Sequence, residues 1–261
     1  MAEAYPEYEE RPRRRGRKPL ISLVVLLLVL AGLLVVADRV AAGVAQRAIA
    51  HRVEQQVAKQ NAQSAKPEVK VGGFPFLTQV LAGNYEHISI VLKDVHGPVQ
   101  GDTVSVPQLD VDARNVKASL NTLRSGQGDV IAKTVDGKGT ITYDSLAKLL
   151  DRPGLTLADR NGKLAVTAPA DILGVKITVT GTADVTVAGN KVSLRFNELN
   201  AEGLPNLPLA KTLLANYAKG ISIDVPLPKL PFQLNVRKVE PRPEGLWVTA
   251  DAKNVPINSA G

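Results

Sequence analysis

Gly72-Gly73-Phe74-Pro75-Phe76-Leu77-Thr78-Gln79-Val80-Leu81-Ala82-Gly83-Asn84-Tyr85-Glu86-His87-Ile88-Ser89-Ile90-Val91-Leu92 is the stretch at which the chain changes character. Before it lie a charged N-terminal segment, an apolar run and one amphipathic pattern. After it, strand and turn signals continue almost to the end. Proline fixes its own φ and pushes the preceding residue out of the helical region, so Phe74-Pro75-Phe76 reads as a short extended corner holding two of the four phenylalanines. Two readings fit such a corner: aromatics that plug a helix-to-sheet junction, or the mouth of an apolar groove. Beyond it, Ile88, Ile90 and Leu92 alternate with His87, Ser89, Val91 and Lys93, the period of two of a half-buried strand.

Similar runs stand at Thr103–Val106, Leu109–Val116, Asp129–Thr134, Gly139–Tyr143, Leu155–Asp159 and Leu164–Ala168. They continue at Val175–Val187, Lys191–Leu199, Ile221–Val225, Phe232–Val239 and Leu246–Ala252. Arg160-Asn161-Gly162-Lys163 and Ala188-Gly189-Asn190-Lys191 carry the Asn and Gly of primed hairpin turns, so antiparallel meanders are expected. Gly137-Lys138-Gly139-Thr140 reads as another hairpin turn, its order being wrong for a phosphate loop. Two short helices interrupt the strands: Leu146–Leu150, capped by Asp144 or Ser145, and Pro208 to Tyr217. Val225-Pro226-Leu227-Pro228-Lys229-Leu230-Pro231-Phe232 is either an edge blocked against pairing by proline or an extended apolar segment facing a ligand.

Upstream, residues 1–19 are polar, with four glutamates followed by an Arg/Lys cluster, and are expected to be disordered on the cytoplasmic side. Leu20 to Ala37 carries no formal charge and, at ~1.5 Å per residue, roughly spans the hydrocarbon core of a bilayer. The run exceeds the ~7–15 residues of a signal-peptide core, which favours an uncleaved transmembrane anchor over a cleaved leader. The basic cluster before it predicts that residues 38–261 are delivered outward as one extracytoplasmic domain. From Val40 to about Gln60, Val40, Val44, Ala48 or Ile49, Val53 and Val57 form a narrow apolar stripe that must lie on the sheet. The expected fold is therefore α+β: a long curved antiparallel β-sheet packed around one amphipathic helix, preceded by one transmembrane helix.

Composition narrows the function. The absence of cysteine excludes thiol catalysis, iron–sulfur clusters, cysteine zinc sites and disulfides. Net charge is +7, of which residues 1–37 supply an excess of 2 and the remainder an excess of 5, too diffuse a bias for a nucleic-acid partner but compatible with anionic lipid. His51, His87 and His96 have no metal-ligand spacing and read as solvated, and no Gly-x-Ser-x-Gly elbow exists. Asp110 and Asp112 share one strand face and are a weak paired-carboxylate candidate against the simpler reading of a solvated sheet face. No cofactor is called for, and the chain is not expected to be an enzyme.

The order of one amphipathic helix, Gly73-Phe74-Pro75-Phe76-Leu77-Thr78 with Gly83 shortly after, a β-rich body, Leu230-Pro231-Phe232 and a closing Gly245-Leu246-Trp247-Val248 strand resembles the LmeA-like phospholipid-binding family of actinobacterial cell envelopes. The likeness covers roughly Asp38 to Ile257 and is most specific in Gly-Phe-Pro-Phe-Leu. It implies a periplasmic, tubular lipid-binding domain and a link to envelope lipid or lipoglycan metabolism.

Together these readings predict non-catalytic binding of phospholipid, expected to be anionic, with possible transfer or presentation. The lipid-binding candidates are Phe74, Phe76 and Leu77 at the groove mouth, Ile88 and Ile90 on the first sheet strand, and Phe232, Leu234 and Trp247 near the closing edge. On that reading Phe76→Asp weakens lipid capture and leaves the fold intact; on the plug reading it unfolds the domain. The alternative from another class is a membrane-anchored β-rich scaffold holding an envelope enzyme, whose interior would be filled. Protein partners are not identified by the sequence.

Overall fold

A computed structural model describes residues 17–99, 102–125, 128–150, 153–172, 175–188, 191–201, 212, 223–226 and 234–256. The N-terminal tail up to residue 16, the expected helix at 208–217 apart from residue 212, and Phe232 with most of its proline-rich loop lie outside these residues.

Helix α1 runs unbroken from Arg17 to Lys59, joining the apolar run to the amphipathic pattern in one rod. It is the one helix among the described residues long and apolar enough to cross a membrane. Leu20 to Ala37 is exposed along its whole length, and the first buried residue is Asp38. The buried face of the remainder follows the expected stripe only in its later part, where Ile49, Val53 and Val57 are half-buried. Val40 and Val44 point outward, while Asp38, Ala41, Ala42, Ala45 and Ile49 face the body. Alanines at helical spacing let the helix axis approach the sheet more closely than valines would, and close packing favours that approach.

Strands β1 (Glu68–Gly72), β2 (Asn84–Val99), β3 (Asp102–Lys117), β4 (Ile131–Ile141), β11 (Gly245–Pro256) and β10 (Asn235–Arg242) form a six-stranded antiparallel sheet in the order β1-β2-β3-β4-β11-β10. A second sheet of five strands, β5 (Thr156–Arg160), β6 (Lys163–Ile172), β7 (Val175–Ala188), β8 (Lys191–Ala201) and β9 (Ile223–Pro226), is a simple meander. The α+β class with an apolar N-terminal helix is as expected; the strands divide between two sheets where the sequence suggested one. Short helices α2 (Phe76–Ala82), α3 (Leu120–Ser125) and α4 (Tyr143–Leu149) complete the described elements.

Several local readings change. Phe76 is not in an extended segment but opens α2, for which Pro75 is the N-cap and Gly83, at φ 63°, the left-handed C-cap. Proline's fixed φ suits a helix entrance as well as a corner. Gly137 and Gly139 lie inside β4 rather than in a hairpin turn, so two expected strands are one. Two more merge as β3, where Pro107 lies beyond the last β3–β4 pair, Leu109 with Gly139, and so removes no donor from that ladder. Helix α4 is capped by Thr142, whose hydroxyl accepts from the Ser145 amide, rather than by Asp144 or Ser145.

One buried carboxylate joins α1 to α2. Asp38 Oδ1 accepts the Leu77 amide at 2.8 Å, and the side chain is 2% exposed. Burial pushes its pKa up, but amide hydrogen bonds from Leu77 and Phe76 and the charge of Arg39 outweigh that and hold it below the usual carboxylate value. Gln79, also buried, donates to Gly72 O at 3.2 Å and accepts from Glu86 N at 2.9 Å, tying α2 to both β1 and β2. At the other end, Ser145 Oγ of α4 accepts the Ser105 amide of β3 and Tyr143 Oη donates to Arg242 O at 2.7 Å, so α4 pins the second sheet's entrance to the first.

Candidate functional site

The register of the six-stranded sheet builds one continuous apolar face. Directly paired residues project to the same side. Val71, Ile88, Ala113, Val135 and Ala252 make one row across the strands. The next is Val69, Ile90, Val111, Gly137, Ala250 and Val236, and the third Leu92, Leu109, Gly139 and Val248. Toward α2, Tyr85, Val116, Ala132 and Val255 add a further row. Its members follow the preceding row at a spacing of three residues rather than two. Asn115 and Asn254, at φ 49° and 52°, supply the positive-φ residues that this change of parity uses on β3 and β11. From Tyr85 to Leu92 the face extends about 23 Å along the strands.

Both ends are covered. Ala41, Ala42, Ala45 and Ile49 of α1, with Phe76 of α2, close over the Val71 and Tyr85 rows. Tyr143 and Leu146 of α4, with Val185, Val187 and Val192 of the second sheet, close over Leu246, Val248 and Ala250. Between the covers Ile90 and Leu109 are half-buried, as are Ile88 and Val111 at the edge of the first cluster and Val248 at the edge of the second. Here β4 presents Gly137 and Gly139, and neighbouring side chains take up the space over them: a Cβ at Gly139 would meet Leu109 Cδ1 at 3.3 Å and Val106 Cγ1 at 3.7 Å. A Cβ at Gly137 would meet Leu234 Cδ1 at 3.7 Å, so Leu234 covers Gly137, and it packs against the clusters at both ends.

The opposite face is polar and internally paired. His87 Nε2 lies 2.8 Å from Asp112, Lys93 Nζ 2.7 Å from Glu68, and Arg114 3.8 Å from Asp136, while Arg237 pairs with Asp251. Burial raises the Asp112 pKa, but hydrogen bonds from His87 and Ser89 and the charges of His87 and Arg114 give a net lowering. His87 is thus a paired side chain rather than a solvated one. Asp110 accepts from Gln108 Nε2 at 2.9 Å. No group of three or more metal-ligating side chains occurs among the described residues.

A polar cleft of about 560 Å³ separates the sheets at Lys163, Asp184, Val185, Val239, Glu240 and Arg242. The Arg242 guanidinium covers Trp247 at 4.1 Å from the ring centre.

Of the residues singled out in the sequence, Ile88, Ile90 and Leu234 meet on the apolar face. Phe76, 6% exposed, lies in the core beneath α1 with its ring 6.2 Å from Tyr85, the plug geometry. Leu77 is half-buried on α2, and Phe74 is 54% exposed outside the body with Arg39 4.7 Å from its ring centre. Trp247, paired with Thr140 and Glu240, points to the other side of β11 from Leu246 and Val248. Sequence reading missed Val69, Leu109, Val111, Val236, Val248 and the two glycines. The signal was the alternation Val135, Gly137, Gly139, Ile141, which continues a strand period if glycine is allowed an inward position.

The model of the LmeA-like phospholipid-binding family matches residues 36–251, from the last turn of the apolar run into the final strand. No curated protein and no solved structure matches the chain.

Proposed function

Since the chain belongs to the LmeA-like phospholipid-binding family, we propose that it holds phospholipid non-catalytically by laying acyl chain along the apolar face of the six-stranded sheet. The observation that carries this is the continuous apolar face itself, on which Ile90, Val111, Leu109 and Val248 are half-buried and no polar side chain stands in the paired rows until Tyr85. Each methylene removed from water contributes about 0.8 kcal/mol, so roughly ten seated methylenes give on the order of 8 kcal/mol before ordering costs. Such binding needs shape and dryness rather than a reactive group. Anionic headgroups suit the excess of five positive charges carried by the remainder of the chain beyond residue 37.

In this reading α1 is a single-pass anchor through residues 20–37, with the tail at 1–19 cytoplasmic and residues 38–261 forming one extracytoplasmic domain. The bound lipid is then transferred or presented within the cell envelope as part of lipid or lipoglycan metabolism. Native mass spectrometry of the gently purified full chain, followed by extraction and identification of what is bound, tests the binding step. Co-purifying phospholipid at fixed stoichiometry supports it. A clean lipid-free mass across several preparations, with no uptake from offered vesicles, overturns it in favour of a filled scaffold.

A further inference from the structure

Past the apolar run of α1, the exposed large hydrophobic side chains among the described residues are Val40, Val44, Phe74, Leu81, Leu120 and Ile131. They share one end of the molecule. Val40 and Val44 lie on the first turns of α1 beyond the run; Phe74 precedes α2, and Leu81, 82% exposed, is on it. Leu120 opens α3 and Ile131 opens β4, where it pairs with Lys117, itself paired with Asn84 beside the α2 C-cap. Ala118 N donates to Gly83 O at 3.0 Å, so the exit of α2 and the entrance to α3 are bonded neighbours. The second sheet and the far ends of the first contribute no such side chain among the described residues. Exposed apolar side chains gathered in this way mark a contact surface.

What covers it follows from the chain's own path. Asp38, the first residue beyond Leu20 to Ala37, is bonded to the Leu77 amide of α2 at 2.8 Å. Helical rise is ~1.5 Å per residue, so α2 is held within a few ångströms of the level at which the apolar run ends. If that run fills the ~30 Å hydrocarbon core, α2 lies in the headgroup layer, roughly 5–8 Å deep on each side. Arg39, stacked on Phe74, and exposed Lys117 put cations at the same level, where apolar tips dip below the phosphates and basic groups meet them.

We propose that the α2/α3 end of the domain is a membrane-seating surface, with Phe74, Leu81, Leu120 and Ile131 immersed in the interfacial layer of the bilayer that α1 crosses. The apolar sheet face then begins at the lipid surface rather than at the end of a free tether. This rests on α1 spanning the membrane, and the experiment separates the two.

The absence of native cysteine allows single-cysteine labels without background. Leu28→Cys, Leu81→Cys, Leu120→Cys and Asn161→Cys would each carry a bimane probe in the full chain, one copy per nanodisc of phosphatidylcholine and phosphatidylglycerol. Quenching would be read with aqueous iodide and with lipids brominated at shallow or deep positions. The Asn161 turn, in the second sheet, should be quenched by iodide and the Leu28 probe by deep bromines. The probes at 81 and 120 should be severalfold less accessible to iodide than the probe at 161 and quenched by shallow bromines. Adding Leu81→Glu should restore iodide access at 120. Probes at 81 and 120 as accessible as that at 161, with 28 still deep, would overturn the seating and leave a protein as the occupant of this surface. Iodide access at 28 would overturn the span itself, and the seating with it.

Discussion

Ile90→Trp separates an acyl-binding face from a closed core. Ile90 lies in the row Val69, Ile90, Val111, Gly137 and is half-buried on the apolar face. Tryptophan carries roughly six more heavy atoms than isoleucine, enough to displace about four methylenes, so the loss is about 3 kcal/mol, or roughly 100-fold to 200-fold in affinity. If the face holds lipid, this loss appears in titration with a fluorescent phospholipid and as a lower lipid yield on extraction, with little change in melting temperature. If the face is a filled core, the larger ring overpacks it at a cost of about 1–3 kcal/mol. In a domain of this size that lowers Tm by roughly 2–12 °C. Val91→Trp is the control, because Val91 pairs with Glu68 and Asp110 on the polar face and should leave lipid binding unchanged. Equal lipid binding by Ile90→Trp and the wild type would refute the assignment of this face; a large fall in Tm without a specific binding loss would assign it to the core.

Phe76→Ala should lower stability by about 3–5 kcal/mol, since it empties a core site beneath α1, and thermal melts should show this whether or not lipid is present. Phe76→Asp should fail to fold, the outcome of the plug geometry; a folded Phe76→Asp domain with weakened lipid capture would restore Phe76 to the groove mouth. Gln79→Leu removes the bonds to Gly72 O and Glu86 N and should cost about 1–3 kcal/mol in denaturant melts, whereas Thr78→Ala on the exposed side of α2 should cost little. For acid, the folded-state pKa values of Asp38, Glu68, Asp112, Glu240 and Asp251 are all lowered. Their stabilisation is therefore complete above the unfolded carboxylate pKa and is lost as pH falls below about 4. Tm should be level from neutral to weakly acidic pH and then drop, less so in Asp112→Asn; a Tm that rises on acidification would contradict the sign.

The strand body was legible because alternation survives when one sheet face is buried and the other is charged: Ile88-Ser89-Ile90 states both faces at once. The division into two sheets was not, since hairpin turns fix only neighbours, and β11 returning to pair with β4 is a contact more than 100 residues apart in sequence. The inward positions of β4 were hidden by glycine, which is a turn signal when read locally and a strand position when read in register. Trp247 was misplaced for a related reason. Its size drew it toward a ligand face, although in this strand the inward positions belong to Leu246 and Val248 and the tryptophan carries Arg242 on the outside.

Helix α1 shows why amphipathic reading misassigned the first two valines of the stripe, Val40 and Val44, while Ile49, Val53 and Val57 are half-buried. A helix with one apolar neighbour has one apolar face, and the valines would mark it. Beyond the apolar run this helix has two faces of different kinds: Asp38, Ala41, Ala42 and Ala45 against the sheet, and Val36, Val40 and Val44 outward, continuous with the run. Farther along, that outward face turns to Arg47 and His51. At this level the valines face away from the sheet and the alanines toward it, which lets the helix lie close enough to bury Asp38 against α2. Replacing Ala42 with leucine should thus disturb the domain more than replacing Val40 with glutamine. Thermal melts of the two variants reverse this order only if the buried face has been assigned to the wrong side.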